Sequence, residues 1–205
     1  MAITSYSSLK TAVQTWNPHS DIPAVVDDLL DLAEARLSRE LRCSRMVTTQ
    51  TGTISTGGAT LALPTDLLEV VEMRVGGGTT ERTLERRPLV DFQARYLSHT
   101  SGTTEAFAID GDTFRFGPAT ASDLAYTLRY YQRLPALSTT VTTNWLLDEA
   151  PDLYLFACLC EAERFLRNPE GVAYMEAQYQ QARDAIIGSD RRRRWMGGTQ
   201  RIMVL

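Results

Sequence analysis

The chain has 205 residues, 43% of them hydrophobic, and a formal net charge of −4. A chain of this length and composition can bury a core, which excludes a wholly disordered protein. No apolar run is long enough to span a membrane and the N-terminus has no secretory signal, so the sequence predicts a protein of a cytoplasm or of an assembly, without a membrane partner.

The positive charge is concentrated at the C-terminus. Residues from Ser189 onward contain five arginines and one aspartate, a net charge of +4, so the rest of the chain carries −8. Affinity for nucleic acid comes from clustered lysine and arginine. An acidic body therefore disfavours general binding to a phosphate backbone, and only the tail is basic.

Residues that could hold a metal or carry out catalysis are few. Cys43, Cys158 and Cys160 are too few for a disulfide framework or a four-ligand zinc site, and they are predicted to be reduced thiols packed as small apolar residues. His19 and His99 have no cysteine or carboxylate at ligand spacing. The sequence also lacks a nucleophile elbow and a phosphate-binding loop. It therefore predicts no catalytic, metal or cofactor site, and no enzyme.

The N-terminal part of the chain predicts two helices. The first has Ser5 as its N-cap and Asn17-Pro18 as its stop. The second is long and amphipathic, with apolar residues at three- and four-residue steps from Ile22 to Leu41. Its other faces are acidic, and the acids predicted to form a solvated surface are Asp27, Asp28, Asp31 and Glu34.

From Met46 the residue types change to threonine, valine and glycine, which predicts β-strands. Alternating apolar residues mark the strands, and the Asp-Gly pair at 110–111 suits a tight hairpin. The predicted elements are a β-hairpin of residues 47–54 and 60–63, a helical turn at 64–68, a strand at 70–75, a short helix at 86–97, the tight hairpin around Asp110-Gly111, and a strand at 124–131.

Two more helices are predicted towards the C-terminus. Asp148 or Glu149 is expected to cap the first, which runs over residues 153–166 and is apolar on nearly every side in its first turns, as far as Cys160. Such a helix lies at the centre of a bundle, and Phe156 is predicted to lie at that centre. The second helix begins at Asn168-Pro169, where a cap is followed by a first-turn proline.

Beyond Gly188 the chain combines four consecutive arginines with apolar residues. The arginines have three interpretations: a helix end, a nucleic-acid contact, or a docking arm for an acidic protein groove. The helix dipole explains one or two arginines, not four. Apolar residues with no fold to bury them need a partner, which favours a docking arm that is mobile from Ser189 onward in the free protein. The predicted docking residues are Arg191, Arg192, Arg193, Arg194, Trp195, Met196, Ile202, Met203, Val204 and Leu205.

These elements predict an α+β fold. Both chain ends are expected to form an antiparallel helical bundle, with an inserted β-rich lobe and an extended C-terminal arm. The predicted division assigns residues 1–43 and 148–194 to the bundle, 44–147 to the lobe and 195–205 to the arm.

Several short stretches form a recognisable pattern. They are Tyr130 to Ser138 (YYQRLPALS), Asn144 to Leu147 (NWLL), Pro151 to Leu155 (PDLYL) and Glu161-Ala162, preceded at the front end by Tyr6 to Leu9 (YSSL), Trp16 and Leu41-Arg42. This pattern resembles the head-to-tail adaptor proteins of tailed bacteriophages, also called tail accessory or head-completion proteins. The resemblance runs from about Tyr6 to Ile187.

The resemblance implies a structural virion protein that binds and does not catalyse. Proteins of this family assemble as a dodecameric ring under the portal vertex, extend the DNA channel and provide the surface for tail attachment. The expected partners are the portal, a tail or nozzle protein and other copies of the chain, while packaged DNA passes through without specific binding. The expected location is the head-tail interface of the virion, and the host cytoplasm during assembly. In such a ring, the acids from Asp27 to Glu34 could border the DNA channel.

A nucleic-acid-binding regulator is the alternative function. It would use the arginine run, with the acidic body as a dimerisation module. Salt dependence separates the two functions, because a phosphate binder loses affinity steeply with salt whereas an arm held by apolar side chains loses far less.

Overall fold

The computed structural model describes residues 2–96 and 102–195. The fold is α+β, as the sequence predicts, and the chain divides into two compact units. The helical unit comprises Met1–Arg45 and Leu134–Leu205, and the β unit comprises Met46–Arg133. The segment from residue 134 to 147, which the predicted division places in the β-rich lobe, therefore belongs to the helical unit.

The secondary structure follows the order of the predicted elements. The helices are α1 (Tyr6–Trp16), α2 (Ile22–Glu40), α3 (Leu89–Tyr96), α4 (Trp145–Glu149), α5 (Pro151–Phe165) and α6 (Pro169–Trp195). The strands are β1 (Val47–Ile54), β2 (Thr60–Ala62), β3 (Leu67–Val75), β4 (Arg82–Thr83), β5 (Glu85–Arg86), β6 (Ala106–Asp110), β7 (Thr113–Gly117) and β8 (Leu124–Gln132). Among the described residues, no helix is long and apolar enough to cross a membrane.

The N-terminal ends of two helices test the capping residues that the sequence predicts. Ser5 caps α1 as predicted, in a capping box with Ser8. The prediction of Asp148 or Glu149 as a cap is wrong, because an additional short helix, α4, contains both residues. Asn144 caps α4 instead, since its side chain accepts hydrogen bonds from the backbone N–H groups of Leu146 and Leu147.

Helix α5 is the centre of the helical unit. It contacts α1, α2, α4 and α6, and Leu153, Tyr154 and Leu159 on it have no exposed surface. The prediction for Phe156 is wrong. Its side chain is only half-buried and lies edge-on to Trp16, which is itself 57% exposed, with 6.2 Å between the ring centroids. Phe156 therefore lies at the edge of the core.

The β unit contains two four-stranded sheets. Their strand orders are β1-β8-β3-β4 and β2-β7-β6-β5. The predicted Asp110-Gly111 hairpin is confirmed, with Asp110 paired to Thr113 between β6 and β7. The predicted hairpin of residues 47–54 and 60–63 is wrong, because β1 pairs with β8 in one sheet and β2 pairs with β7 in the other. The intervening turn instead bonds a distant segment, since Gly57 N–H donates to the carbonyl of Thr120.

Two further local predictions for the β unit are corrected. The predicted helical turn at 64–68 is a tight turn that leads directly into β3 at Leu67. The predicted helix at 86–97 begins only at Leu89, because Glu85 and Arg86 pair in parallel with β6. Pro88 then directly precedes α3, and its carbonyl accepts from Phe92 N–H. In both places pairing with a distant strand replaces the locally favoured helix.

Gly52 gives Tyr126 the space to lie across β1. The two residues are partners in the β1–β8 ladder, and a Cβ atom at Gly52 would lie 2.7 Å from Cε1 of the Tyr126 ring. The ring is 6% exposed and belongs to the core of the β unit, so it has little room to move. A side chain at position 52 therefore overpacks this part of the sheet.

We expect Gly52→Val to lower the free energy of unfolding by about 1 to 3 kcal/mol, because the ring of Tyr126 must leave its place in the core. Urea unfolding followed by far-UV circular dichroism measures the loss. Gly77→Ala is the matched control, since a Cβ atom at Gly77 meets nothing within 4 Å. A loss at Gly52 no larger than the loss at Gly77 would show that the Tyr126 contact does not constrain the strand.

Candidate docking surfaces

Helix α6 continues through the position where the sequence predicts a break. It passes Gly188 and Ser189 and ends at Trp195, so the expectation of a mobile arm beginning at Ser189 does not hold for residues 189–195. The hydroxyl of Ser189 donates to the carbonyl of Ile186. Glycine inside a helix costs about 1 kcal/mol relative to alanine, so contacts made by the following residues must offset that cost.

Asp190 makes the contact that holds the end of α6. Its Oδ1 accepts from the backbone N–H of Ser44 at 2.9 Å and also from the Ser44 hydroxyl, and its Oδ2 pairs with Arg194 at 2.7 Å. Burial tends to raise the pKa of Asp190, but the Ser44 hydrogen bonds and the Arg194 charge outweigh burial and lower the pKa. The carboxylate is therefore charged at neutral pH and fixes α6 to the segment that follows α2.

Two arginines of the run are engaged within the helical unit. Arg193 pairs with Glu149 at 2.8 Å, and the other oxygen of Glu149 pairs with Arg45 at 3.1 Å. Arg194 also donates to the carbonyl of Arg42 at 3.3 Å. Arg193 and Arg194 therefore have a role in the protein's own fold.

Arg191 and Arg192 are the outward-facing members of the run. Both are exposed, and within residues 2–96 and 102–195 neither forms an ion pair with a carboxylate. The remaining predicted docking residues, Met196 and Ile202, Met203, Val204 and Leu205, lie outside the described residues, as does the side chain of Trp195. The described part of the predicted docking surface is thus an arginine pair at the end of a fixed helix.

The predicted acidic surface of α2 is smaller than the sequence suggests. Asp28 and Asp31 are exposed. Asp27 is also exposed, but its carboxylate accepts from the Tyr6 hydroxyl at 2.7 Å and pairs with Lys10 at 2.6 Å. These bonds lower the pKa of Asp27, the Lys10 contact contributing most. Asp27 therefore connects α2 to α1, and Asp28 and Asp31 remain as the open part of the surface.

The prediction that Glu34 belongs to the solvated surface is wrong. Glu34 is 6% exposed, and its Oε1 accepts from the backbone N–H of Leu137 at 2.8 Å and from the Tyr154 hydroxyl at 3.0 Å. The Tyr154 oxygen in turn accepts from Asn144 at 2.8 Å. Burial raises the pKa of Glu34, against the two hydrogen bonds that lower it. Nothing local in the sequence marks this residue, because its partners lie on distant segments.

Glu34→Gln is expected to remove a pH-dependent loss of stability. Because the folded protein raises the pKa of Glu34, the stability from this group is fully present below about pH 4.3, its unfolded pKa, and is lost as the pH rises through the folded pKa. Glutamine does not ionise, and its oxygen can accept both bonds that Oε1 accepts. The variant should therefore equal or exceed the wild type in stability at pH 7.

Urea midpoints between about pH 4 and pH 7 test this expectation. Glu34→Ala serves as the comparison, because it leaves the Leu137 N–H and the Tyr154 hydroxyl without their acceptor and should lose about 1 to 3 kcal/mol. If the wild type gains stability relative to Glu34→Gln as the pH rises, the assigned direction of the pKa shift is wrong.

Sequence reasoning also missed a buried arginine that joins α2 to α6. Arg36 is 8% exposed and donates to Glu40 at 2.9 Å and to Glu176 at 2.5 Å. Its guanidinium lies over the Tyr179 ring, 4.0 Å from the centroid, and the Tyr179 hydroxyl donates to Glu40. This ion-pair network connects α6 to α2 through their side chains.

The cysteines are free and buried, as predicted. Burial raises the pKa of the Cys43 and Cys160 thiols to about 11, so both stay protonated at neutral pH. In the described part of the chain, no three His, Cys, Asp or Glu residues come close enough together to hold a metal ion.

The comparison with known protein families identifies the family of this chain. The SU10 adaptor protein family matches residues 4–202, nearly the whole chain. The chain belongs to the SU10 adaptor protein family. No curated protein matches the chain.

Membership of the SU10 adaptor family confirms the resemblance to phage head-tail adaptors. It implies a structural phage protein located in the virion, which interacts with portal and tail components and with other copies of itself. The family is a structural one and is not a known enzyme class. The surfaces described above are therefore candidates for protein contacts in an SU10-type adaptor.

Proposed function

We propose that this protein assembles as a dodecameric ring beneath the portal vertex, where it extends the DNA channel and provides the tail attachment surface. The observation that supports this proposal most is the family match over residues 4–202. An antiparallel bundle of helices from both chain ends forms the body of each ring subunit, and the β unit is its inserted lobe.

Portal docking is assigned to the C-terminal end of the chain. Arg191 and Arg192 steer the encounter with an acidic groove of the portal, because exposed charges act mainly on the association rate. Trp195, Met196 and the final Ile202–Leu205 run supply the apolar area that holds the complex. Arg193 and Arg194 support this surface from within the helical unit through their pairs with Glu149 and Asp190.

The channel surface is assigned to α2. Asp28 and Asp31 are exposed carboxylates, and their negative charge repels the phosphates of packaged DNA. DNA then passes without specific binding. A nucleic-acid-binding regulator is less well supported, because two of the four arginines in the run are neutralised by Glu149 and Asp190.

Electron microscopy of the purified protein mixed with its portal tests the ring. We expect the free protein to sediment as a monomer or weak oligomer, and twelve copies to appear beneath the portal after mixing. Salt-dependent binding to duplex DNA tests the alternative, because a protein that makes several phosphate contacts loses orders of magnitude in affinity as salt rises. Steep salt dependence without a portal complex would favour the regulator.

A further inference from the structure

The outer face of α2 carries a stripe of four exposed residues that face away from the core. They are Asp28, Leu32, Ala35 and Arg39, and Leu32 is 55% exposed. Their spacing of four, three and four residues puts them on one line of the helix, opposite the buried residues of the same helix. We call this line the α2 stripe.

The α2 stripe is complementary to itself when reversed. Two copies aligned antiparallel about the midpoint between Ala33 and Glu34 place Asp28 of each copy opposite Arg39 of the other. The same alignment places Leu32 opposite Ala35 at the centre, so a large side chain meets a small one twice. A parallel alignment would instead place Asp28 against Asp28 and Arg39 against Arg39.

The charges at both ends of the stripe are available for a partner. In the part of the chain that the structure describes, no ion pair or side-chain hydrogen bond engages Asp28 or Arg39. The helix dipole favours Arg39, which lies in the last turn of α2, but it does not reach Asp28, which lies beyond the first turn. The dipole also does not account for the exposed leucine, Leu32, at the centre of the stripe.

We propose that the free protein forms a two-fold symmetric dimer through antiparallel contact of its α2 stripes. One helix face buries less than the roughly 1,200 Å² at which stable interfaces begin, so the dimer is weak. An isologous contact closes on itself and does not extend into a ring. The dimer is therefore a state of the protein before assembly, and it does not depend on the proposed portal function.

Sedimentation equilibrium of the full chain, without portal and at low salt, tests the dimer through charge exchange. Asp28→Arg puts a second positive charge opposite Arg39, and Arg39→Asp puts a second negative charge opposite Asp28, so each variant should dimerise at least about tenfold more weakly than the wild type. In a heterodimer of the two variants, both contacts again join opposite charges. An equimolar mixture should therefore form heterodimers with an affinity within about threefold of the wild type. The double variant reverses both charges and should form homodimers for the same reason.

Asp112→Arg and Arg86→Asp, at exposed positions of the β unit, are the matched charge controls and should leave dimerisation unchanged. Far-UV circular dichroism verifies that each variant is folded. A wild-type protein that stays monomeric to about 1 mM overturns the proposal, because even a weak interface of this kind would be populated there. Loss of dimerisation in the single variants without recovery in the double variant also overturns it, since an antiparallel contact requires that recovery.

Discussion

Truncating Leu159 to alanine should lower the free energy of unfolding of the helical unit by about 3 to 5 kcal/mol. Leu159 has no exposed surface, and it lies on α5, which contacts four other helices. The removed methyl groups leave a cavity that the surrounding helices cannot easily fill, because each is also held by its neighbours. A loss of this size is a large part of the total stability of a typical domain.

Tryptophan fluorescence is a selective probe for this measurement, because Trp16, Trp145 and Trp195 all belong to the helical unit. Phe156→Ala is the informative comparison. It removes a larger side chain from the same helix, but from the half-buried edge beside Trp16, so its loss should be smaller than that of Leu159→Ala. Equal losses at the two positions would contradict the placement of the core along α5.

Deleting residues 196–205 should lower the affinity for the portal at least about a hundredfold, because every apolar anchor of the proposed docking surface except Trp195 is removed. The melting temperature should change little, since the contacts that hold the end of α6 are made by Asp190, Arg193 and Arg194. Pull-down with the portal measures attachment, and differential scanning calorimetry measures melting.

The arginines provide matched controls for this deletion. Replacing Arg191 and Arg192 with serine should slow association, with an effect that fades at high salt, and should leave melting unchanged. Replacing Arg193 with serine removes the pair with Glu149 and should loosen the end of α6 instead. Normal portal attachment by the truncated protein would refute the docking assignment and return the arginine pair to the nucleic-acid alternative.

Predictions from the sequence succeeded where a structure depends on neighbouring residues. Ser5 identified the start of α1, and the three- and four-residue steps from Ile22 identified α2. Asp110-Gly111 identified the β6–β7 hairpin, because an Asp-Gly pair at a tight turn is a local conformational signal. Membership of the family was likewise predictable, since its pattern lies in short contiguous stretches.

The failures concern residues whose partners are distant in the chain. Residues 47–54 have the composition of a hairpin strand, but their partner in the sheet is β8. Thr53, for example, pairs with Ala125, which lies some 70 residues later in the chain. Glu34 lies off the apolar stripe of α2, and only the approach of Leu137 and Tyr154 turns it into a buried acceptor. No local pattern encodes such contacts, because the donors and the acceptor become neighbours only after folding.

The ladder between β1 and β8 also bears on whether the β unit can be exchanged without disturbing the helical unit. Val47 and Tyr131 are partners near the two ends of the β unit, so the chain enters and leaves this unit at points about 5 Å apart. A lobe with adjoining ends can be replaced by a short turn, or exchanged for another lobe in one recombination event, without a long linker. We therefore expect the helical unit to stay folded when a short turn replaces the β unit, Met46–Arg133.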